Sequence, residues 1–219
     1  LLRAALNECA HIPNCDFGMH VIPYCFENGN KICAYEFQGY WKDVGTLSSY
    51  WEANMELISL IPEFNLYEEY WRVYTKSESI PPQFIGKNGK VSGSIVGEET
   101  EIYGEVTNSV IGSDVVIGEG AVIKDSIIMN HTRIGDNAVI NKAVIAENCE
   151  IEDCVELGVF EEADNTVAPH IYNNGLVAVG QNSYIPYKVK VGKNVAIFGK
   201  TTPDDYPDRV LPSGEYLVK

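Results

Sequence analysis

Aliphatic side chains recur at steps of six, six and five residues through the second half of this chain. The series runs Ile111, Ile117, Ile123, Ile128, Ile134, Ile140, Ile145, Ile151 and Leu157. An amphipathic helix repeats its apolar residues at three and four, and a half-buried strand at two, so this step fits neither. The pattern predicts a coil with three flat sides, in which each hexapeptide forms one short strand and one bend.

Stacked coils of this kind are joined by parallel strands about 4.8 Å apart, with the aliphatic residue of each hexapeptide pointing inwards. Residues one coil apart should then form interior columns, such as Ile111, Ile128 and Ile145, and Ile117, Ile134 and Ile151. Glycine follows several of these aliphatic residues, and we expect it to serve the bends because it tolerates unusual backbone angles. A β-sandwich of short strands is the alternative interpretation.

The repeat is interrupted once and then ends in a proline-rich tail. Residues 158–178 are rich in acidic residues, Asn and Gly, and we expect a surface loop there because its polar backbone would be costly inside the coil. The repeat returns at Val179, Ile185, Val191 and Ile197. Residues 201–219 are predicted to be irregular and to cap the open edge of the stack.

The amino-terminal residues do not follow the six-residue repeat. We predict a short helix near residues 16–25 and a strand at 31–37. A further helix should begin at a cap formed by Thr46 or Ser48 and end before Pro62.

These patterns divide the chain into residues 1–62, an aromatic-rich linker at 63–84 and a coil domain at 85–219. The aromatic residues of the linker are expected to strap the two flanking parts together.

Composition excludes several classes of partner. The formal net charge is −15, so nucleic acid and anionic membrane surfaces are poor partners. No stretch approaches the roughly 18 consecutive apolar residues of a membrane span, and the first residues lack the features of a secretory signal, which predicts a cytoplasmic protein. The six cysteines form no Cys-x-x-Cys pair, and we expect reduced thiols rather than a zinc site.

The amino-terminal part is too short to form a complete nucleotide-binding sheet, and no glycine-rich phosphate loop occurs in the chain. The first residue is Leu, and we expect the sequence to be a fragment of a longer protein.

Several motifs along the chain match one enzyme family. They are DFG at 16–18, VIP at 21–23, AYEFQGYWKDVGTLSSYWEANMEL at 34–57, FNLY at 64–67 with PP at 81–82, and the hexapeptide coils. Together they resemble the carboxy-terminal part of the bacterial glucose-1-phosphate adenylyltransferases. The resemblance implies a mainly β fold, in which a left-handed parallel β-helix follows a partial α/β nucleotidyltransferase segment.

The resemblance also implies an activity. Enzymes of this family convert ATP and glucose 1-phosphate to ADP-glucose and pyrophosphate in glycogen biosynthesis, require Mg²⁺, and form homotetramers or heterotetramers under allosteric control. Asp43 would be the catalytic metal ligand, and Asp16, Phe17 and Trp41 would line the glucose 1-phosphate pocket. Judged without the family, Asp43 is a turn or helix-start residue and Trp41 a core residue. The family's nucleotide loop, first metal-binding aspartate and sugar-phosphate lysine would all precede this chain.

Two alternatives to a catalytic chain stay open. One is a non-catalytic regulatory subunit of the same family. The other is a hexapeptide-repeat acyltransferase, which would need a catalytic histidine, and His131 is the one histidine on a coil. An anionic effector could bind lysines of the last coils, although a solvated face is the interpretation that we favour; they are Lys188, Lys190, Lys193 and Lys200.

Overall fold

The computed structural model describes residues 1–59, 62–72, 74 and 80–219. These residues divide into two compact units, Leu1–Gly39 and Tyr40–Lys219. The predicted boundaries at residues 62 and 84 stay a prediction, and part of the predicted linker lies outside the described residues.

The first unit consists of short helices around a small core. Helix α1 (Leu2–Cys9) is followed by a π-helical turn (Phe17–Val21) that runs into helix α2 (Ile22–Glu27). The predicted helix near residues 16–25 is confirmed. The predicted strand at 31–37 is wrong: this segment is exposed and pairs with no strand in the described part of the chain. A strand needs a neighbour to satisfy its backbone groups, and sequence alternation alone does not supply one.

The second unit begins with the predicted amphipathic helix. Helix α3 spans Leu47–Leu57 and starts at Thr46, whose hydroxyl accepts a hydrogen bond from the Ser49 backbone N–H at 3.1 Å. The Ser49 hydroxyl in turn accepts one from the Thr46 N–H at 3.1 Å, so two of the free backbone donors at the helix start are satisfied. Of the two predicted caps, Thr46 is therefore the one used. No helix in the described residues has the length and apolar character needed to cross a membrane.

The rest of the second unit is a parallel β-helix with three walls. Its strands are β1 Phe84–Ile85, β2 Lys90–Ser92, β3 Ile95–Val96, β4 Glu101–Ile102, β5 Glu105–Thr107, β6 Val110–Ile111, β7 Val116–Ile117, β8 Val122–Lys124, β9 Ile127–Ile128, β10 Arg133–Ile134, β11 Val139–Asn141, β12 Ala143–Ile145, β13 Glu150–Ile151, β14 Glu156–Leu157, β15 Val177–Val179, β16 Tyr184–Ile185, β17 Lys190–Val191, β18 Val195–Phe198, β19 Val210–Leu211 and β20 Tyr216–Val218.

Up to β18, every third strand pairs in parallel within one wall, and β19 and β20 then add to the second and third walls. The first wall is β1-β4-β7-β10-β13-β16, the second is β2-β5-β8-β11-β14-β17-β19, and the third is β3-β6-β9-β12-β15-β18-β20. This architecture confirms the predicted fold class and excludes the sandwich.

The predicted interior columns are confirmed by the strand register. Ile111 pairs with Ile128 and Ile128 with Ile145 in the third wall, and the first wall aligns Ile117, Ile134 and Ile151 in the same way. All six side chains are buried in one continuous core. Removing these side chains from water in every coil is the main stabilising contribution to the stack.

Glycine has a different role from the predicted one. Most corners with positive φ are occupied by other residues, including Asp114, Asp125, His131, Asn137 and Lys142. Gly112, Gly118 and Gly135 lie instead where the next coil passes closely, because an added Cβ would come within 2.5 to 2.8 Å of a backbone nitrogen. Their lack of a side chain, rather than their flexibility, lets adjacent coils stack.

The predicted loop is confirmed, since residues 158–176 contain no strand. The predicted irregular tail is only partly correct. Two 3₁₀ turns, Pro203–Asp205 and Pro207–Arg209, precede strands that extend the second and third walls. Pairing satisfies the open backbone groups of the last full coil, which explains why the tail becomes strand.

The strap predicted for the aromatic linker is largely wrong. Phe64 stacks on Tyr40 with ring centroids 5.5 Å apart. The other aromatic residues of the segment are exposed, namely Tyr67, Tyr70, Trp71 and Tyr74. Aromatic content alone does not specify a packing partner.

Candidate functional site

Asp43 lies on an exposed turn just before helix α3. Its Oδ1 accepts a hydrogen bond from the backbone N–H of Gly45 at 3.0 Å. The helix cap itself is Thr46, so Asp43 is not required to start the helix. An exposed carboxylate held in a fixed turn is available to a ligand, and this arrangement also fits the simpler interpretation of Asp43 as a turn residue.

The residues before Asp43 are tied to helix α3. The Lys42 Nζ donates to Glu56 Oε1 at 2.6 Å and lies 3.7 Å from Glu52. Tyr40 donates its hydroxyl proton to the same Glu56 at 3.1 Å. The hydrogen bond with Lys42 lowers the pKa of Glu56 and raises the pKa of Lys42, so both stay charged at neutral pH.

The predicted sugar-phosphate residues fall in different units. Trp41 is 76% exposed, so its interpretation as a core residue is wrong. Asp16 begins the π-helical turn, where its Oδ1 accepts from the Met19 N–H at 2.6 Å, and the neighbouring Phe17 is 52% exposed. Asp16 and Phe17 belong to the first unit and Trp41 and Asp43 to the second. Their predicted roles stay predictions.

The residues present fit magnesium in part. Mg²⁺ is usually held by one or two carboxylates together with substrate phosphates and water. Asp43 offers one exposed carboxylate. In the part of the chain that the structure describes, no group of three or more His, Cys, Asp and Glu side chains could hold a metal ion. Asp43 could therefore contribute one ligand to a site completed by other groups.

Helix α3 packs on the outer face of the third wall, a contact that the sequence analysis missed. Leu47, Tyr50, Trp51 and Met55 cluster with Ile127, Val144 and Leu176. The signal was present in the sequence. Outward positions of the third wall are apolar (Val110, Ile127, Val144 and Ala178), whereas the equivalent positions of the first wall are Glu101, Val116, Arg133 and Glu150. A contiguous apolar outer face is usually buried by another part of the protein, and helix α3 packs on this one.

Hydrogen bonds fix this helix at two points. The Trp51 Nε1 donates to the backbone oxygen of Asp125 at 2.8 Å. Ser48 donates to Asn173 Oδ1 at 2.7 Å and accepts from Asn174 Nδ2 at 3.0 Å. The loop predicted at 158–178 therefore holds the start of α3.

A cavity of about 470 Å³ lies between the start of helix α3 and the third wall. Its walls are mostly apolar, and Val44, the residue after Asp43, lines it.

The remaining candidate residues lie elsewhere on the β-helix. His131 is exposed at a corner, with its Nδ1 2.8 Å from Asp114 Oδ2. A cavity of about 350 Å³ is lined by Lys188 and Lys190, but not by Lys193 or Lys200. Arg209 also lines it, and Lys190 already pairs with Glu156 at 2.9 Å.

Two family descriptions match different parts of the chain. "Nucleotidyl transferase" matches residues 8–59, and "GlmU-like, C-terminal hexapeptide" matches residues 81–179. The second match covers most of the β-helix, and the first covers α2, α3 and only the last two residues of α1.

Relatives named "Glucose-1-phosphate adenylyltransferase" match the chain along its whole length. The protein of Lachnospira eligens is 61% identical over 219 residues, which are 100% of this chain and 52% of that protein. The Thermotoga maritima protein is 49% identical over 220 residues, and the Acetivibrio thermocellus protein 41% over 220. These alignments cover 99% and 100% of this chain, and 52% and 51% of the two relatives. The chain spans about half the length of these relatives.

Proposed function

Because the chain resembles glucose-1-phosphate adenylyltransferases over its whole length, we propose that it is part of such an enzyme. The full-length protein would convert ATP and glucose 1-phosphate to ADP-glucose and pyrophosphate. The observation that supports this proposal most is the 61% identity over an alignment that spans all 219 residues. The nucleotidyl transferase match at 8–59 favours this function over the acyltransferase alternative.

Catalysis of adenylyl transfer requires the protein to stabilise charge and position the reacting groups, and it does not require a covalent intermediate. Negative charge gathers on the phosphate oxygens in the transition state, and a bound Mg²⁺ would neutralise part of it. The role proposed for Asp43 is to supply one carboxylate to that ion. Its bond from Gly45 fixes Oδ1, which limits the reorganisation needed when the site assembles.

Sugar recognition is proposed for Asp16, Phe17 and Trp41. An exposed aromatic ring can pack against the apolar face of a sugar, and a carboxylate can accept hydrogen bonds from its hydroxyl groups. Trp41 is exposed, as this role requires, and it lies two residues before Asp43.

The β-helix is proposed to serve assembly and regulation. Its terminal coils present strand edges that another subunit can cover, which suits a homotetramer or heterotetramer. An anionic metabolite would need a local cluster of cations on a chain of net charge −15. The proposal places this activity in the cytoplasm, in glycogen biosynthesis.

The activity can be tested through the charge of Asp43. In the full-length protein, Asp43→Asn keeps the size of the side chain and removes its charge, so folding should be nearly unchanged. ADP-glucose formation from ATP and glucose 1-phosphate with magnesium should fall by about 100-fold or more. Asp114→Asn is the matched control, because Asp114 is a partly buried carboxylate that is bonded to His131 at a corner of the β-helix and has no proposed role in catalysis.

Three results would contradict the proposal in different ways. Absence of ADP-glucose formation by the unmodified full-length protein would favour the regulatory subunit. A fully active Asp43→Asn variant would return Asp43 to the role of a turn residue. Activity of the 219-residue chain by itself would show that the remaining half of the enzyme is not needed.

A further inference from the structure

We propose that Trp51 is a positioning residue for Asp43, which it holds in place by fastening helix α3 to the β-helix. The inference rests on the proposed function, because it assumes that Asp43 binds the metal. It adds a role that the β-helix would have within each subunit, beyond assembly and regulation.

The first step is the attachment of Trp51 to the coils. Its Nε1 donates to the Asp125 carbonyl oxygen at 2.8 Å, and the Lys142 ammonium lies 5.3 Å from the centre of its ring. Asp125 and Lys142 are both corner residues with positive φ, at 49° and 50°. Corners of stacked coils are fixed by the strands on either side, so Trp51 is attached to a rigid part of the molecule.

The second step is the dependence of the helix on this attachment. Helix α3 has 11 residues, none of them fully buried. Isolated helices of this length are marginal in water, and most helical stability in proteins comes from packing of the apolar face. The apolar face of α3 packs on Ile127 and Val144 of the third wall. Without that wall, the helix would lose its main source of order.

The third step connects the helix to both flanks of Asp43. On one side, Lys42 is bonded to Glu56 of the last helical turn. On the other, Thr46 caps the first turn through Ser49, and the intervening Gly45 donates to Asp43 itself. Asp43 therefore cannot move far unless α3 moves.

Metal-assisted transfer is sensitive to such movement. A displacement of about 1 Å in a group that positions the reaction can lower the rate roughly 100-fold. The contacts of Trp51 described above are with Asp125, Lys142 and the third wall, so its effect on turnover should pass through Asp43.

The test compares three variants of the full-length protein. Trp51→Phe retains a ring and removes the N–H that Asp125 accepts. Ser48→Ala removes the second attachment, to Asn173 and Asn174. Ile185→Val is the matched control, because it shortens a fully buried side chain of the first wall and does not contact α3.

Trp51→Phe should lower kcat roughly 10-fold and raise the Mg²⁺ concentration for half-maximal activity several-fold. Ser48→Ala should change both in the same direction and by less, and it keeps the inference testable if Trp51→Phe does not fold. Ile185→Val should leave both unchanged at temperatures where all variants are folded. In an Asp43→Asn background, Trp51→Phe should cause no further loss, because residues that act as a unit are non-additive.

The inference is overturned if Trp51→Phe and Ser48→Ala both behave like the Ile185→Val control while Asp43→Asn is inactive. It is also overturned if Trp51→Phe causes the same loss of kcat with and without Asp43. Failure of the proposed function gives a different result, namely an Asp43→Asn variant that is as active as the unmodified enzyme.

Discussion

The β-helix and the first unit of this chain bury apolar residues in very different ways. In the β-helix, one continuous core runs through the coils, and each aliphatic residue packs against its counterpart one coil away. In the first unit, the buried cluster consists of Ala5, Cys9, Val21 and Cys25. Larger apolar residues of that unit, such as Phe26 and Tyr35, are exposed.

This difference in apolar burial follows from the sequence repeat. A coil needs only its two neighbours, and every coil presents the same interior positions, so the stack supplies its own packing partners. A segment of fewer than about 40 residues buries too little surface to be stable alone unless other groups support it. We therefore expect most of the folding stability of this chain to come from the coils. The function of the first unit should depend on the groups that contact and support it.

A cavity in the core should give the largest effect on this comparison. Ile128→Ala removes a fully buried side chain from the third-wall column and should lower the free energy of unfolding by about 2–5 kcal/mol. Val21→Ala, in the small core of the first unit, should leave the unfolding of the β-helix unchanged. Urea unfolding followed by circular dichroism measures both. Equal destabilisation of the β-helix by the two variants would show that the two cores are not independent.

Alanine substitutions at two glycines distinguish the stability cost of close packing from the cost of backbone conformation. An added Cβ at Gly118 would lie 2.7 Å from the Asp136 backbone nitrogen, so Gly118→Ala should destabilise the coils by about 1–3 kcal/mol. Gly29 has open space around it and a φ of 69°, so Gly29→Ala should cost about 1–2 kcal/mol from backbone strain alone, and only within the first unit. Thermal unfolding of both variants measures the two losses. A tolerated Gly118→Ala would mean that the coils can move apart.

A smaller effect should appear at alkaline pH. Burial raises the pKa of Tyr206 to about 12, and its hydroxyl lies 2.8 Å from that of Thr201. In the unfolded chain, the Tyr206 hydroxyl has the ordinary tyrosine pKa of about 10. The contribution of Tyr206 to stability is therefore complete below about pH 10 and is lost as pH rises towards 12.

Tyr206→Phe tests that contribution. Because the variant cannot ionise at this position, its unfolding free energy should fall less steeply between pH 10 and 12 than that of the unmodified chain. Urea midpoints at several pH values measure the two slopes. Identical slopes would show that Tyr206 ionises without unfolding the end of the β-helix.

The sequence predicted the parts of the fold that repeat. Ile117, Ile134 and Ile151 are spaced by a constant number of residues, and constant spacing becomes register once the coils stack. It predicted a coil domain from residue 85 but did not place the strands of the first coils, because Ile102 and Ile117 are 15 residues apart where later partners such as Ile117 and Ile134 are 17 apart. A coil that is shorter by two residues still aligns its interior side chains with those of the next coil. A search for a single spacing of 17 residues does not find these pairs.

The site was predicted less completely than the fold. The cap at Thr46 has a local signature and was correct up to a choice of two residues. The attachment of Trp51 to Asp125 joins residues 74 positions apart and involves a backbone oxygen, which no sequence motif specifies. Asp43 was identified through a family resemblance, and its geometry alone also describes an ordinary turn.

Hydrogen exchange of the 219-residue chain, followed by mass spectrometry, tests the contrast between its two regions most directly. We expect slow exchange throughout residues 100–198 apart from the loop at 158–176, intermediate exchange in helix α3, and rapid exchange in residues 1–39. Protection in residues 1–39 equal to that of the coils would contradict this expectation. So would rapid exchange in the coils, because the stack would then not be the self-supporting part of the molecule.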